Sequence, residues 1–231
     1  MFSLISWKLI INKYLKQLIN AFICGCLIGI GAVSNLYCIG IGESILGGFL
    51  FGLSFLFIAL YGYEYYSSKI GYVVENKAPY LLDCLIAIIG NYIGAWVIAL
   101  VVKMTSLSSI SNPLMTGLKL IVEPRVQNGL VFDLFGKSLL SGIVIYLVFN
   151  TYKKAEQPIA RFLSLFIGAF VLCVVGLDEL VSDMFYFNLA CLSNYSYGTL
   201  FSNLVYVLIG NSLGAMIIPL LRKLKGVLKS I

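Results

Sequence analysis

The sequence predicts an all-α membrane protein: six transmembrane helices arranged as an inverted repeat of 3+3, with broken second and fifth helices. Three observations lead there. The 231 residues are 60% hydrophobic and only 11% charged, against about 25% charged in an ordinary soluble domain, and mean hydropathy is +0.97. Six apolar segments each approach the roughly 20 residues that cross a bilayer. The stretch "GNYIGA" at 90–95 returns as "GNSLGA" at 210–215.

The six segments fall near 18–40, 44–66, 80–102, 128–150, 160–192 and 199–221. The first follows a lead-in carrying Lys8, Lys13 and Lys16. The apolar run continues through Gly25, Gly29 and Gly31 without a short core and cleavage site, so a signal peptide is not indicated. The lead-in reads as an amphipathic basic stretch lying on the cytoplasmic face. The fifth segment is long and contains Asp178, Glu179 and Asp183, so it reads as broken. The longest polar connection is 103–127. Its Asn112-Pro113 is one copy of a pair that water-channel pores carry twice, so it reads as a turn.

Orientation follows from Lys and Arg. The N-terminus, the connection with Lys69 and Lys77, the connection with Lys153, Lys154 and Arg161, and the C-terminus with Arg222, Lys223, Lys225 and Lys229 alternate along the chain. They hold most of the 16 basic residues, which predicts a multi-pass protein of the cell membrane with both termini cytoplasmic. The net charge of +6 then belongs to a cytoplasmic face and is no argument for nucleic acid.

There is no histidine, which removes the commonest general base and a common metal ligand. Cys24, Cys26, Cys38, Cys84, Cys173 and Cys191 lie mostly in apolar runs and read as small packed hydrophobes. No metal, cofactor or catalytic residue is expected. The partners are the lipid bilayer, a small solute and further copies of the chain.

The repeat extends beyond its glycines. Gly90 and Gly94, like Gly210 and Gly214, are four apart and so share one helix face, where another backbone can approach closely. Asn91 and Asn211 occupy matching places between them. Upstream, "GYEYYSSK" at 62–69 and "GLDELVSDM" at 176–184 each begin Gly-x-acid, about 30 residues before the glycine–asparagine helix. The chain thus reads as one domain over 1–231 with halves of about 1–103 and 120–225. Three spans per half force opposite orientations, an arrangement that builds midplane solute sites in transport proteins.

A charge at the bilayer centre costs about 2.5–3.5 kcal/mol on insertion scales, so the acids of the fifth segment mark a water-filled path or a pairing. Two readings of Asp178 stay open: a pore residue, or a cap on the half-helix after the break. Glu179 reads as a pore residue, with Asp183 four residues on and on its face if the helix is regular.

These residues resemble the formate/nitrite transporter family. Gly62-Tyr63-Glu64-Tyr65-Tyr66-Ser67 is similar to that family's Gly-x-Glu-Leu-Phe-Thr break in the second helix. Gly176-Leu177-Asp178-Glu179-Leu180-Val181-Ser182-Asp183-Met184 is similar to its Gly-Phe-Glu-His-x-x-Ala-Asn-Met stretch in the fifth. The Asn-x-x-Val-x-x-Ala-Val-Trp run of the fourth helix is faint here, as Ser141-Gly142-Ile143-Val144 through Phe149. The resemblance covers nearly the whole chain. It implies a homopentamer with an aquaporin-like pore inside each protomer, passing small monovalent weak-acid anions such as formate, nitrite, hydrosulfide, acetate or lactate. It implies a cytoplasmic constriction at Tyr65 and Tyr66, with Ser67 in the threonine position, a second constriction at Leu172, and Arg125 as the vestibule cation.

The departures from that pattern sharpen the question. Glu179 stands where the family has its central histidine, and Asp183 where it has an asparagine. An ionised Glu179 about 5 Å from an anion repels it by roughly 3 kcal/mol at an effective dielectric near 20, a slowing of about a hundredfold. Two ways out remain open: a neutral, proton-donating Glu179, or a pore that has changed sign toward a small cation or weak base such as ammonium. More remote are an intramembrane enzyme, whose two acids form a dyad, and a structural subunit with a closed pore.

Overall fold

The computed structural model describes residues 2–127 and 131–228, with side chains from 11 to 126 and from 131 to 228. Lys229 and the Lys8 side chain, both used in the orientation argument, lie outside the described residues, as do the first residues of the fourth expected segment. The helices are α1 (Phe2–Gly40), α2 (Ser44–Tyr61), α3 (Tyr66–Lys69), α4 (Tyr80–Lys103), α5 (Pro113–Gln127), α6 (Val131–Lys154), α7 (Pro158–Val175), α8 (Leu180–Cys191) and α9 (Tyr197–Leu228). Short 3-10 turns cover Ile70–Glu75 and Ser106–Ser108. Six of these helices are long and apolar enough to cross a membrane: α1 from Ile11 onward, α2, α4, α6, α7 and α9. The basic lead-in is not a separate surface helix, because α1 runs through it without interruption.

The second and fifth segments stop in the same way. Gly62 ends α2 at φ 67° and Gly176 ends α7 at φ 71°, left-handed conformations that glycine adopts without a Cβ penalty. In both, the next amide reaches back five residues: Tyr63 N–H donates to the Ile58 carbonyl at 3.0 Å and Leu177 N–H to that of Leu172 at 2.9 Å. That bond satisfies a carbonyl the ended helix would otherwise orphan. Tyr65 and Glu179 are then extended and open the short helices α3 and α8. The second expected segment therefore ends five residues early, at Tyr61.

The glycine–asparagine helices pack as expected of small residues. α1 lies along α4, α6 along α9, and α2 crosses to α7. A Cβ on Gly25 would collide with the Asn91 carbonyl, and one on Gly142 with that of Asn211. Gly94 and Gly214 press likewise on the backbone of Phe22 and Leu139. The two halves are thus built on the same contacts.

α5 differs from the expected turn. Asn112 caps it by accepting from Leu114 N–H at 3.0 Å, and Pro113 takes the first helical position, where its missing N–H costs nothing. Leu114, Leu118 and Val122, four apart, are fully buried along one face. Gly117 packs against the backbone of Leu36 on α1. Arg125 lies in the last turn of this helix, which brings it against Asp178 and Asp183.

Candidate functional site

The two interruptions meet. Ser67, in α3, donates its hydroxyl to Glu179 Oε1 at 2.8 Å. Glu179 also receives Val181 N–H on Oε1 at 2.9 Å and Ser182 N–H on Oε2 at 2.7 Å, so it caps α8 itself. Every partner donates, which is the pattern of a carboxylate, an acceptor-only group. The positive end of α8 favours negative charge at that place. The cap is therefore Glu179 and not Asp178: an extended residue directly before the helix is the one whose side chain can fold back onto its first free amides.

Asp178 and Asp183 are held by Arg125 instead. Its Nη2 binds Asp178 Oδ1, and its Nη1 binds Asp183 Oδ1 at 3.2 Å. Both carboxylates are buried and the guanidinium is mostly so. Asp183 thus shares the arginine with Asp178. The guanidinium also stands 5.7 Å from the Phe187 ring centroid, and the Arg125 carbonyl accepts from Asn203 of α9 at 3.2 Å. Arg125 is consequently no free cation: two carboxylates already compensate it.

The other interruption carries the mirrored ion pair, Lys69 with Glu64. Its backbone is tied down by Asn91. The amide oxygen accepts from Tyr66 N–H at 2.9 Å, while the amide nitrogen donates to the carbonyls of Glu64 and Ala21, both at 2.8 Å. Asn211 behaves differently: its nitrogen donates to Ser141 Oγ at 3.3 Å, and its oxygen has no hydrogen-bond partner among the described residues.

Two cavities approach the centre from opposite ends. One of about 90 Å³ is lined by Asn35, Phe51, Arg125, Leu172, Glu179 and Tyr186 among others. The other, of about 410 Å³, is lined by Ile58, Glu64, Ser68, Lys69, Phe149 and Lys153 among others. Along α2, Phe51 faces the first and Ile58 the second, with fully buried Phe55 between them. Phe55, Tyr65 and Phe149 close the gap as a ring cluster, with centroids 5.3 to 5.6 Å apart. Tyr66 lines neither cavity; its hydroxyl is 2.9 Å from that of Ser212 on α9. Sequence reasoning missed Phe55, Phe149 and the Asn35–Tyr186 hydrogen bond of 3.1 Å. In an aromatic-rich membrane chain, nothing local sets those side chains apart.

Six spanning helices, two of whose neighbours begin at interruptions that meet in a buried polar centre, define a membrane channel or transporter. The model of the formate/nitrite transporter family matches residues 8–223, and the chain belongs to that family. A pentameric formate channel with formate bound is similar in structure, with a TM-score of 0.75 and 16% identity over 94% of this chain and 98% of that one. An ion channel of the same family gives a TM-score of 0.79 and 18% identity over 91% of this chain and 90% of its own. No curated protein matches the chain.

Proposed function

We propose that the protein is a channel for small monovalent weak acids of the formate, nitrite or hydrosulfide kind, with Glu179 replacing the family's histidine at the centre of each protomer's pore. The observation that carries this reading is the Ser67–Glu179 hydrogen bond: Glu179 lines the smaller cavity, and Ser68, next to Ser67, lines the larger. The permeant passes that junction as the neutral acid, an anion together with a proton. A carboxylate repels the bare anion by roughly 3 kcal/mol at about 5 Å but does not repel the uncharged acid.

Flux then follows the neutral fraction of the solute. In proteoliposomes, formate flux falls about tenfold per pH unit above the solute's own pKa. A flux that stays level while the neutral fraction collapses would contradict neutral-acid passage.

One observation favours a second reading, passage of ammonium. Around the smaller cavity a single Arg125 faces Asp178, Asp183 and Glu179, an excess of acid that suits a cation. The same flux assay with ammonium separates the two. A dyad enzyme fits less well, since each acid is already engaged locally. Glu179 caps α8, and the two aspartates hold Arg125.

The similar formate channel is pentameric, and we extend that state to this chain. For orientation, Lys153 stands 4.2 Å over Tyr72, Arg222 Nη1 donates to Tyr146 Oη at 3.0 Å and Lys223 donates to the Val74 carbonyl at 3.3 Å. These cations gather around the 3-10 turn beyond Lys69, which supports a cytoplasmic position for that end and for both termini.

A further inference from the structure

Beside Glu179 stands a donor that the described residues leave unpaired, the Tyr65 hydroxyl; the other unpaired atoms around this centre, on Asn35, Asp178 and Asp183, are acceptors. Tyr65 is fully buried, its ring fixed between Phe55 and Phe149 at 5.6 and 5.3 Å. Its hydroxyl has no hydrogen-bond partner among the described residues. It approaches Glu179 and Ser67 without closing a bond to either. A buried hydroxyl left unpaired is costly, and this one stands beside the carboxylate that the solute must pass, where a solute can supply the missing partner.

The neighbouring groups define what that partner must offer. The hydrogen of Ser67 is committed to Glu179. The Glu179 carboxylate has about four acceptor positions; Oε1 takes two donors and Oε2 takes one. What remains open is one donor, the Tyr65 hydroxyl, and one charged acceptor position, on Glu179 Oε2, with the neutral oxygens of Ser67 and Tyr65 as weaker acceptors. A neutral oxyacid is the complement: its doubly bonded oxygen accepts and its own hydroxyl donates. Ammonium only donates and leaves the Tyr65 hydrogen unmet. Hydrogen sulfide is weak in both roles.

We propose that Tyr65 Oη and Glu179 Oε2 form a donor–acceptor pair that recognises a small oxyacid in its neutral form, so that Tyr65 sets selectivity for oxyacids over hydrogen sulfide and ammonium. This rests on the weak-acid reading of the same pore. Tyr65 is in this respect a solute-contact residue: its ring belongs to the barrier, its hydroxyl to the permeant.

The test is Tyr65→Phe, which keeps the ring and removes the hydroxyl. Fluxes of formate, hydrosulfide and ammonium into proteoliposomes are compared with wild type at one pH, along with the thermal midpoint of the purified protein. Loss of one hydrogen bond in the barrier lowers formate flux about tenfold, with the other two solutes changed by less than about twofold. The midpoint does not fall, because no protein partner is lost. Formate flux equal to wild type overturns the assignment of Tyr65 alone. So does a parallel fall of all three solutes with a lowered midpoint, which is the mark of a structural hydroxyl. A wild-type protein that moves ammonium but no formate overturns the weak-acid reading, and the oxyacid site with it.

Discussion

Ser67 Oγ and Glu179 Oε1 lie 2.8 Å apart across 112 residues of sequence, and they join the first turn of α3 to the cap of α8, two helices that each begin at an interruption. This hydroxyl is one of several side-chain bonds between the two halves, with Asn35–Tyr186 and Tyr66–Ser212, and it is the one that reaches Glu179. Ser67→Ala removes this donor but leaves both backbone donors on Glu179. Folding survives, with a loss of about 0.5–1.5 kcal/mol in unfolding measurements, or up to about 3 if the bond is fully charge-assisted. Formate flux changes several-fold, because Glu179 Oε1 loses one of its two donors and presents a free acceptor position to the solute.

Asn91 and Asn211 hold matching places, yet their substitution by alanine has unequal effects. Asn91→Ala strands the Tyr66 amide and the carbonyls of Glu64 and Ala21. Each buried group left unpaired costs about 1–3 kcal/mol. Asn211→Ala removes one hydrogen bond of 3.3 Å and an oxygen that had no partner. Thermal unfolding in detergent shows Asn91→Ala as the far less stable of the two.

Arg125→Gln leaves Asp178 and Asp183 buried without their cation. The expected loss is about 3–5 kcal/mol, the cost of breaking a buried pair from one side. Adding Asp178→Asn and Asp183→Asn to the same chain restores much of that stability. A rescue of this kind separates compensation of charge from mere packing of the arginine.

The glycines fall into two groups that alanine distinguishes. Gly62 and Gly176 have positive φ with open space where a Cβ would stand, so alanine costs only the backbone strain, about 1–2 kcal/mol each. Gly25 and Gly142 have ordinary helical backbone but a carbonyl in the way. Alanine there forces α1 from α4, or α6 from α9, and monodisperse protein on size-exclusion chromatography is lost.

The architecture was legible in the sequence because hydropathy and glycine spacing are local signals. Gly62 and Gly176 mark both interruptions by residue type alone, since a left-handed helix end is what glycine supplies at lowest strain. The paired motifs at Asn91 and Asn211 fixed the repeat, but not that Asn91 ties down the adjacent interruption while Asn211 does not. α5 was hidden because its stripe of Leu114, Leu118 and Val122 is too short and too mixed with polar residues to register as a span. Arg125 could be named as important, yet its two partners come from α8 and the extended residues before it, 53 and 58 positions away. Which of Asp178 and Glu179 caps α8 turned on one residue of register, and hydropathy does not resolve that.

The central claim is that the Glu179 carboxylate decides which form of the solute passes, and Glu179→Gln tests it most directly. The substitution keeps size and one acceptor oxygen, which still takes Ser67 and Val181, while its amide nitrogen cannot accept from Ser182 N–H. Losing that one cap bond costs about 1–3 kcal/mol and leaves assembly intact. Formate flux into proteoliposomes is measured from about pH 5 to about pH 8 for both proteins, a range above the usual carboxyl pKa. The account predicts a steep fall with rising pH in wild type and a markedly flatter curve in the variant, where the anion no longer meets a fixed negative charge. Identical solute preference and identical pH dependence in the two proteins would contradict it.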